Sequence, residues 1–303
     1  MLTILTPVYN RAYIIDNLYR SLLRQSDHDF DWLIVDDGST DDLKEHVSVW
    51  DNDPERFFEM KYLYRENGGK HRAWNTALPY IKGDWTFVVD SDDYLTDDAV
   101  SSVREWIAQI EDDASFGGVS GRRGKPSNGT VTPIGTYPAG KDYVDATNLK
   151  RWSNHLMGDM AEVYRTELLR RYPFPEFEGE KFCSEGAVLS RIACAGYRVR
   201  WFPKVIYICD YLPDGLMHNV FSNRLDFFQG YTFVIKNCVK YDEFPINDIE
   251  IGNYSKVAKM KGFNLREGAG ILEISLLRYC FCIILSKLND MRVAVKHGRT
   301  KRR

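Results

Sequence analysis

Residues 87–93 read Phe87-Val88-Val89-Asp90-Ser91-Asp92-Asp93: a buried, strand-like apolar run that delivers three carboxylates within four residues at its carboxyl end. Alternation on an extended backbone places Asp90 and Asp92 on one side. Such a pair suits a hard, oxygen-seeking cation that completes its shell with water and substrate phosphates. An Asp-rich turn capping the helix after Thr96 would use the same residues, so the stretch needs its surroundings to be interpreted.

Working back towards the start, strand-like and helix-like segments alternate. Residues 2–5 form a short apolar run stopped by Pro7, and residues 13–24 carry Ile14, Ile15, Leu18, Leu22 and Leu23 at helical spacing. A second strand over 32–35 ends at Asp36, Asp37 and Gly38. Ser39 or Thr40 is placed to cap the next helix, with Asp41 and Asp42 in its first turn. Residues 60–64 predict a strand, 71–81 a helix entered through Gly68 and Gly69, and 85–89 the fourth strand. This order implies a Rossmann-like α/β domain, with a mostly parallel sheet and helices on both faces. Ligands bind beyond the carboxyl ends of the strands in such sheets, and every polar cluster noted here sits at one.

Working forward, residues 97–110 predict a helix. Residues 117–141 are rich in Gly, Pro, Ser and Thr, include the basic stretch 121–125, and read as a long excursion or flexible loop. Helix-like and strand-like pieces resume over 158–210, and the rest is mainly helical. The chain therefore divides into 1–110, whose strand ends carry the polar clusters; 111–212, the second half of the same domain; and a mainly helical C-terminal extension, 213–303.

Two further clusters carry chemistry. In VDDGSTD (35–41), adjacent carboxylates at a strand end can accept hydrogen bonds from a base N–H or a ribose hydroxyl. Two neighbouring carboxylates repel, which favours a donor or cation nearby. In ENGGKHRAWN (66–75), paired glycines admit close backbone approach, and the helix beginning there points its N–H groups at an anion. Lys70, His71 and Arg72 add positive charge where a diphosphate would lie.

TPVYNR (6–11), VDDGSTD, NGGKHRAWN and DSDD, in that order and spacing, resemble the inverting family 2 glycosyltransferases with the GT-A fold. The resemblance is strong over about 1–110 and weaker over 158–210, and it implies that 1–110 is the nucleotide-sugar-binding half and 111–212 the acceptor-binding and catalytic-base half of one domain. It implies that Thr6, Pro7 and Tyr9 line the nucleotide and that Asp36 or Asp37 meets the base. Gly69, Lys70, His71, Asp90 and Ser91 would complete the nucleotide-sugar site. Asp90 would face ribose or metal, and Asp92 would bind Mn2+ or Mg2+ between the phosphates. The family's alanine-arginine-asparagine run is here Ala73-Trp74-Asn75, which leaves the phosphate-side cation to Lys70, His71 or Arg72. An inverting transfer needs a base for the acceptor hydroxyl. The family places it six residues before an Arg; counting back from Arg191 reaches Glu185, with Glu180 the competing residue and a helix-start charge the bland alternative. His218, after Asp214-Gly215, is a further residue that could approach the diphosphate.

A net charge of −3 gives no reason to expect nucleic acid as partner. Six scattered cysteines suggest free thiols in a reducing compartment, and the start lacks a signal-peptide pattern, so a cytoplasmic active site is expected. Residues 271–288 form a dense apolar run broken by Glu273, Arg278 and Lys287, followed by a basic stretch. That pattern suits either a packed core helix or a helix lying on an anionic membrane surface, giving peripheral contact through 271–303. The expected partners are a nucleotide-sugar donor, UDP-linked, and a glycan or lipid-linked oligosaccharide acceptor. Two rivals are a sugar-phosphate nucleotidyltransferase, which would carry a glycine-rich basic loop after its first strand, and a sugar-nucleotide-binding protein without turnover.

Overall fold

Ile4 and Leu5 are neighbours in β1 (Leu2–Val8) and fully buried, yet they belong to different cores. Successive strand side chains face opposite sides of a sheet, so a strand apolar at every position needs cover on both faces. The strand β2 (Phe30–Asp36) repeats the division, sending Trp32 and Ile34 to one core and Leu33 and Val35 to the other. The computed structural model describes residues 1–127, 129–209, 224–241 and 246–300.

The remaining strands are β3 (Glu59–Tyr64), β4 (Trp85–Val88), β5 (Tyr94–Leu95), β6 (Phe116–Ser127), β7 (Thr130–Pro133), β8 (Val144–Ala146), β9 (Met160–Arg165) and β10 (Arg198–Ile208). They form one sheet in the order β3-β2-β1-β4-β9-β6-β10-β5, with β7 on β6 and β8 on β10. The stretch β3-β2-β1-β4 is parallel, as its strand–helix alternation requires. Past β4 the sheet becomes mixed, because β9 lies antiparallel to both β4 and β6 while β10 is parallel to β6. The helices α1 (Asp16–Leu23), α2 (Leu43–Asp51) and α4 (Ala99–Ala108) cover one face; α3 (Lys70–Ala77), α5 (Thr166–Arg171) and α6 (Gly186–Cys194) cover the other. A third core joins α7 (Phe228–Lys240), α8 (Ile246–Met260), α9 (Leu265–Ile271) and α10 (Leu276–Thr300), the helical C-terminal extension.

Two local expectations fail. The stretch 117–141 is not one loop: its first half is the twelve-residue β6, which continues into the β7 hairpin. Its glycines answer to packing, since a Cβ on Gly118 would run into the Val163 carbonyl of β9 and one on Gly121 would press on Ile206 and Trp106. Neither Ser39 nor Thr40 caps α2, whose N-cap is Asp42 with no side-chain bond. Ser39 Oγ instead accepts from Asn10 N–H (3.0 Å) and Asp41 from Ala12 N–H (2.8 Å), which ties the loop after β2 to the loop after β1.

Candidate active site

The alternation that sorts the cores also aims the site. Phe87 and Val89 point into the first core, so Asp90, two residues beyond Val88, emerges on the face covered by α3 and α6. There Lys70 Nζ, from the first residue of α3, donates to Asp90 Oδ1 at 2.5 Å and to Glu185 Oε1 at 2.7 Å. Arg123 Nη1 reaches Asp90 Oδ2 at 3.3 Å. Burial alone would raise the Asp90 carboxyl, but the Lys70 and Arg123 charges outweigh it and hold Asp90 far below the carboxylate range. Burial likewise works against the Lys70 charge, and Asp90 with Glu185 reverses that and raises its pKa.

Glu185 is the N-cap residue of α6, yet its side chain makes no cap bond and turns to Lys70 instead. Glu180 has a different job. It is buried, and its two oxygens accept from the N–H groups of Gln229 and Gly230 at 2.7 and 2.8 Å, in the first turn of α7. A carboxylate on a helix N-terminus is stabilising there and is not directed at Asp90.

Asp92 lies beside Arg11, 3.8 Å from its Nε, and burial together with the Asp90 charge pushes its carboxyl up. Asp93 is buried, 3.5 Å from Arg123, and burial and Asp90 raise it to about 7. A carboxylate disfavoured in its charged form by a neighbouring carboxylate is one that a cation would relieve, which fits Asp92 as a metal ligand. Among the described residues no group of three His, Cys, Asp or Glu side chains converges on a metal position. Asp92, with Asp90 two residues before it, could offer a cation one or two carboxylates, leaving its other positions to substrate oxygens.

The 36–41 and 65–69 loops are bound to each other. Asp36 accepts from Ser39 N–H (2.7 Å) and the Tyr62 hydroxyl (2.5 Å). Asp37 pairs with Arg65 and accepts from Asn67 (3.1 Å), Gly68 N–H (3.0 Å) and Gly69 N–H (2.6 Å). Both carboxylates are buried, and in this state Asp37 shapes the glycine turn. Thr6 is fully buried, its Oγ1 accepting from Trp32 Nε1 at 3.0 Å; Pro7 is buried in β1, and Tyr9 just after it is exposed. Ser91 is buried between Asp90 and Asp92.

The three cations of the third motif separate. His71 is buried; burial, then Arg72, lowers its pKa to about 4, so it is neutral at pH 7. Arg72 turns to the Phe177 carbonyl (2.7 Å) and Glu176 (3.5 Å). Lys70 alone of the three faces Asp90. His218 falls outside the described residues.

Three side chains not singled out from the sequence complete the site. Arg123 on β6 lies over the Tyr207 ring, 4.1 Å from its centroid, and donates to the Met160 carbonyl at 3.0 Å. The Tyr207 hydroxyl accepts from Asp90 N–H at 2.9 Å. Glu162 on β9, raised by burial, lines a cavity of about 20 Å³, room for roughly one water, together with Glu185, Trp74 and Arg123. The basic stretch 121–125 was the available signal for Arg123; an isolated Tyr and Glu gave none.

A parallel α/β half-sheet with acidic strand ends, a glycine turn opening a helix beneath Lys70, and a mixed half carrying Glu185 define a protein of the GT-A fold. The family model for glycosyl transferase family 2 matches residues 3–173, and the chain belongs to that family. Over 120 residues it is 32% identical to the putative teichuronic acid biosynthesis glycosyltransferase TuaG of Bacillus subtilis (strain 168), covering 40% of this chain and 47% of that protein. Over 101 residues it is 36% identical to chondroitin synthase of Pasteurella multocida (strain Pm70), covering 33% of this chain and 10% of that one. The matched stretch thus spans less than half the length of these curated relatives. Among solved structures, S. aureus TarS 1-349 in complex with UDP-GlcNAc has a TM-score of 0.62 at 20% identity, covering 93% of this chain and 79% of that one. The mannosyltransferase PcManGT from Pyrobaculum calidifontis, in complex with GDP-Man and Mn2+, has a TM-score of 0.55 at 17% identity, covering 97% and 79%. At these identities the likeness is one of fold.

Proposed function

We propose that this chain transfers a sugar, with inversion, from a UDP-linked donor to a hydroxyl of a glycan or lipid-linked oligosaccharide. The observation that carries the reading is the bridge from Lys70 to Asp90 and Glu185, because it brings the donor-side carboxylate and the proposed base within reach of one ammonium. The base and ribose would lie over Pro7, Tyr9 and the Asp36–Asp37 turn, with Thr6 and Ser91 supporting them from below. The diphosphate would meet Lys70, Gly69 and the N–H groups opening α3. Asp92, with Asp90 beside it, would hold one Mn2+ or Mg2+, which supplies charge neutralisation for the departing diphosphate.

Glu185 would then accept the acceptor hydroxyl proton as that oxygen attacks the anomeric carbon from the side opposite UDP. A single in-line displacement of this kind inverts the anomeric centre. A diphosphate that draws Lys70 towards itself would free the Glu185 carboxylate from its ion pair for the acceptor hydroxyl. Work at the cytoplasmic face of a membrane, with peripheral contact through 271–303, completes the reading.

UDP release from a panel of UDP-sugars, with Mn2+ present, tests activity, nucleotide and sugar together. Glu185→Gln should lower turnover by about 10²–10⁴-fold, the range for a lost general base, with UDP affinity retained. Tight UDP binding without any metal-dependent UDP release from the panel would remove the transferase reading and leave a binding protein.

A further inference from the structure

The helix α10 is apolar on two opposite faces, and the fold uses one of them. Tyr279, Cys282 and Ser286 are buried in the third core. They face α8, where Gly252 lets the two helices approach so closely that a Cβ would run into the Cys282 carbonyl. At about 100° per residue, Leu277, Phe281, Ile284, Leu288 and Met291 fall on the other side. They are 83%, 49%, 57%, 52% and 57% exposed. Single exposed apolar residues need no explanation, but five large ones in line do. Lys287 and Arg292 are exposed on the two edges of this stripe. Asp290, the one acid in the helix, turns away and pairs with Lys256 of α8 at 2.7 Å.

We propose that this stripe docks on an anionic lipid bilayer, with α10 lying in the interface plane. The proposal deepens the membrane contact in the reading above and is independent of its transfer chemistry. A second copy of the chain is the rival occupant, because the same spacing of four and three suits a coiled coil. Charge decides between them. In a self-paired helix of either orientation the edges would set Lys and Arg against Lys and Arg, with no acid on either edge. Anionic headgroups attract the same residues, and residues 276–303 hold eight Lys and Arg against one Asp. The large apolar side chains would enter the headgroup–acyl boundary while the edge cations stay at headgroup level. No single helix among the described residues is long and apolar enough to cross a membrane; α9 and α10 reach that length and composition only as a pair bent by 103°.

The 303-residue chain is sedimented with phosphatidylcholine vesicles and with vesicles that also contain phosphatidylglycerol. Wild type should partition onto the second kind, far less onto the first, and come off with added NaCl. The triple variant Leu277→Gln, Ile284→Gln, Leu288→Gln keeps helix propensity and touches no part of the third core. It should lower the bound fraction about tenfold or more with its Tm unchanged. Equal partition of the triple variant, or partition indifferent to phosphatidylglycerol, overturns the proposal. A concentration-dependent dimer that the same substitutions abolish, and that binds neither vesicle, overturns it in favour of a second copy. Vesicle binding that the triple variant loses supports the surface even where the chain releases no UDP, so the two readings fail separately.

Discussion

Lys70 holds two carboxylates at once, and the competition between burial and charge explains why it can. Desolvation would discharge an isolated ammonium in this position, whereas Asp90 and Glu185 together keep it charged. Lys70→Met would leave Asp90 to Arg123 alone and Glu185 without its partner. UDP affinity in the presence of Mn2+ should then fall by about tenfold or more, and calorimetric titration of UDP would show this; an unchanged affinity would move the diphosphate elsewhere. His71 is the opposite case, a base kept neutral. Its pKa falls from 6.5 to about 4, and its Nδ1 has no hydrogen-bond partner. Between those pH values the folded chain binds fewer protons than the unfolded one, so this contribution is complete above about pH 6.5 and is lost as pH falls towards 4. It amounts to at most about 3 kcal/mol. Denaturant unfolding of His71→Gln should lose that acid-side slope, and a slope identical to wild type would assign the titration to another group. Asp90, Asp92 and Glu185 were legible in the sequence only through their order and spacing with the other motifs, because a carboxylate at a strand end or helix start by itself serves equally well as a cap, as Glu180 does. The neutral state of His71 was not, since a charge in a motif looks the same whether its side chain faces ligand or core.

Turns and caps decide how the elements meet. Gly69 has a φ of 98°, and a Cβ there would run into the Lys181 carbonyl. Gly69→Ala should therefore cost more than about 1 kcal/mol in stability and weaken UDP binding as the turn shifts, both measurable on one preparation. Glu180→Gln removes a charge from the N-terminus of α7 and one of the two acceptors there, since an amide NH2 replaces an oxygen that Gln229 or Gly230 N–H donates to. A loss of about 1–3 kcal/mol with turnover within a few-fold of wild type is expected, in contrast to Glu185→Gln. A large loss of turnover at full stability would reinstate Glu180 as the base. At this scale the parallel half was readable, because each strand ends in a polar turn and each helix shows its apolar spacing. The strand β6 was hidden by its own packing. Neighbouring β9 and Ile206 approach so closely that glycine is required at Gly118 and Gly121, and glycine reads as loop. Misplacing that strand concealed Arg123, which needs β6 to carry it beneath Asp90.

Across the whole molecule, the division of labour follows the sheet. Its parallel half places the glycine turn and Lys70, proposed above to meet a nucleotide, while the mixed half brings Arg123, Glu162 and Glu185 up to the same strand ends from residues far apart in sequence. The order of the motifs foretold the first half; the second depends on antiparallel register, which no local pattern in the chain encodes. A cation held as proposed by Asp92 and Asp90 would join the two. Asp90 is already engaged by Lys70 and Arg123, and no three acidic, His or Cys side chains converge among the described residues, so a metal has little to bind until phosphate oxygens arrive. Binding of Mn2+ and UDP should thus be strongly coupled. In thermal unfolding, Mn2+ alone should scarcely move Tm, and UDP alone only slightly. Both together, near a hundredfold over Kd, should add about 2.7 kcal/mol, roughly 5 °C or more for a chain of this size. Asp92→Asn should abolish the joint increment and leave the UDP-only shift in place. An Mn2+ shift without nucleotide as large as the joint one would mean that the protein holds the metal by itself, with a ligand set other than Asp92 and Asp90.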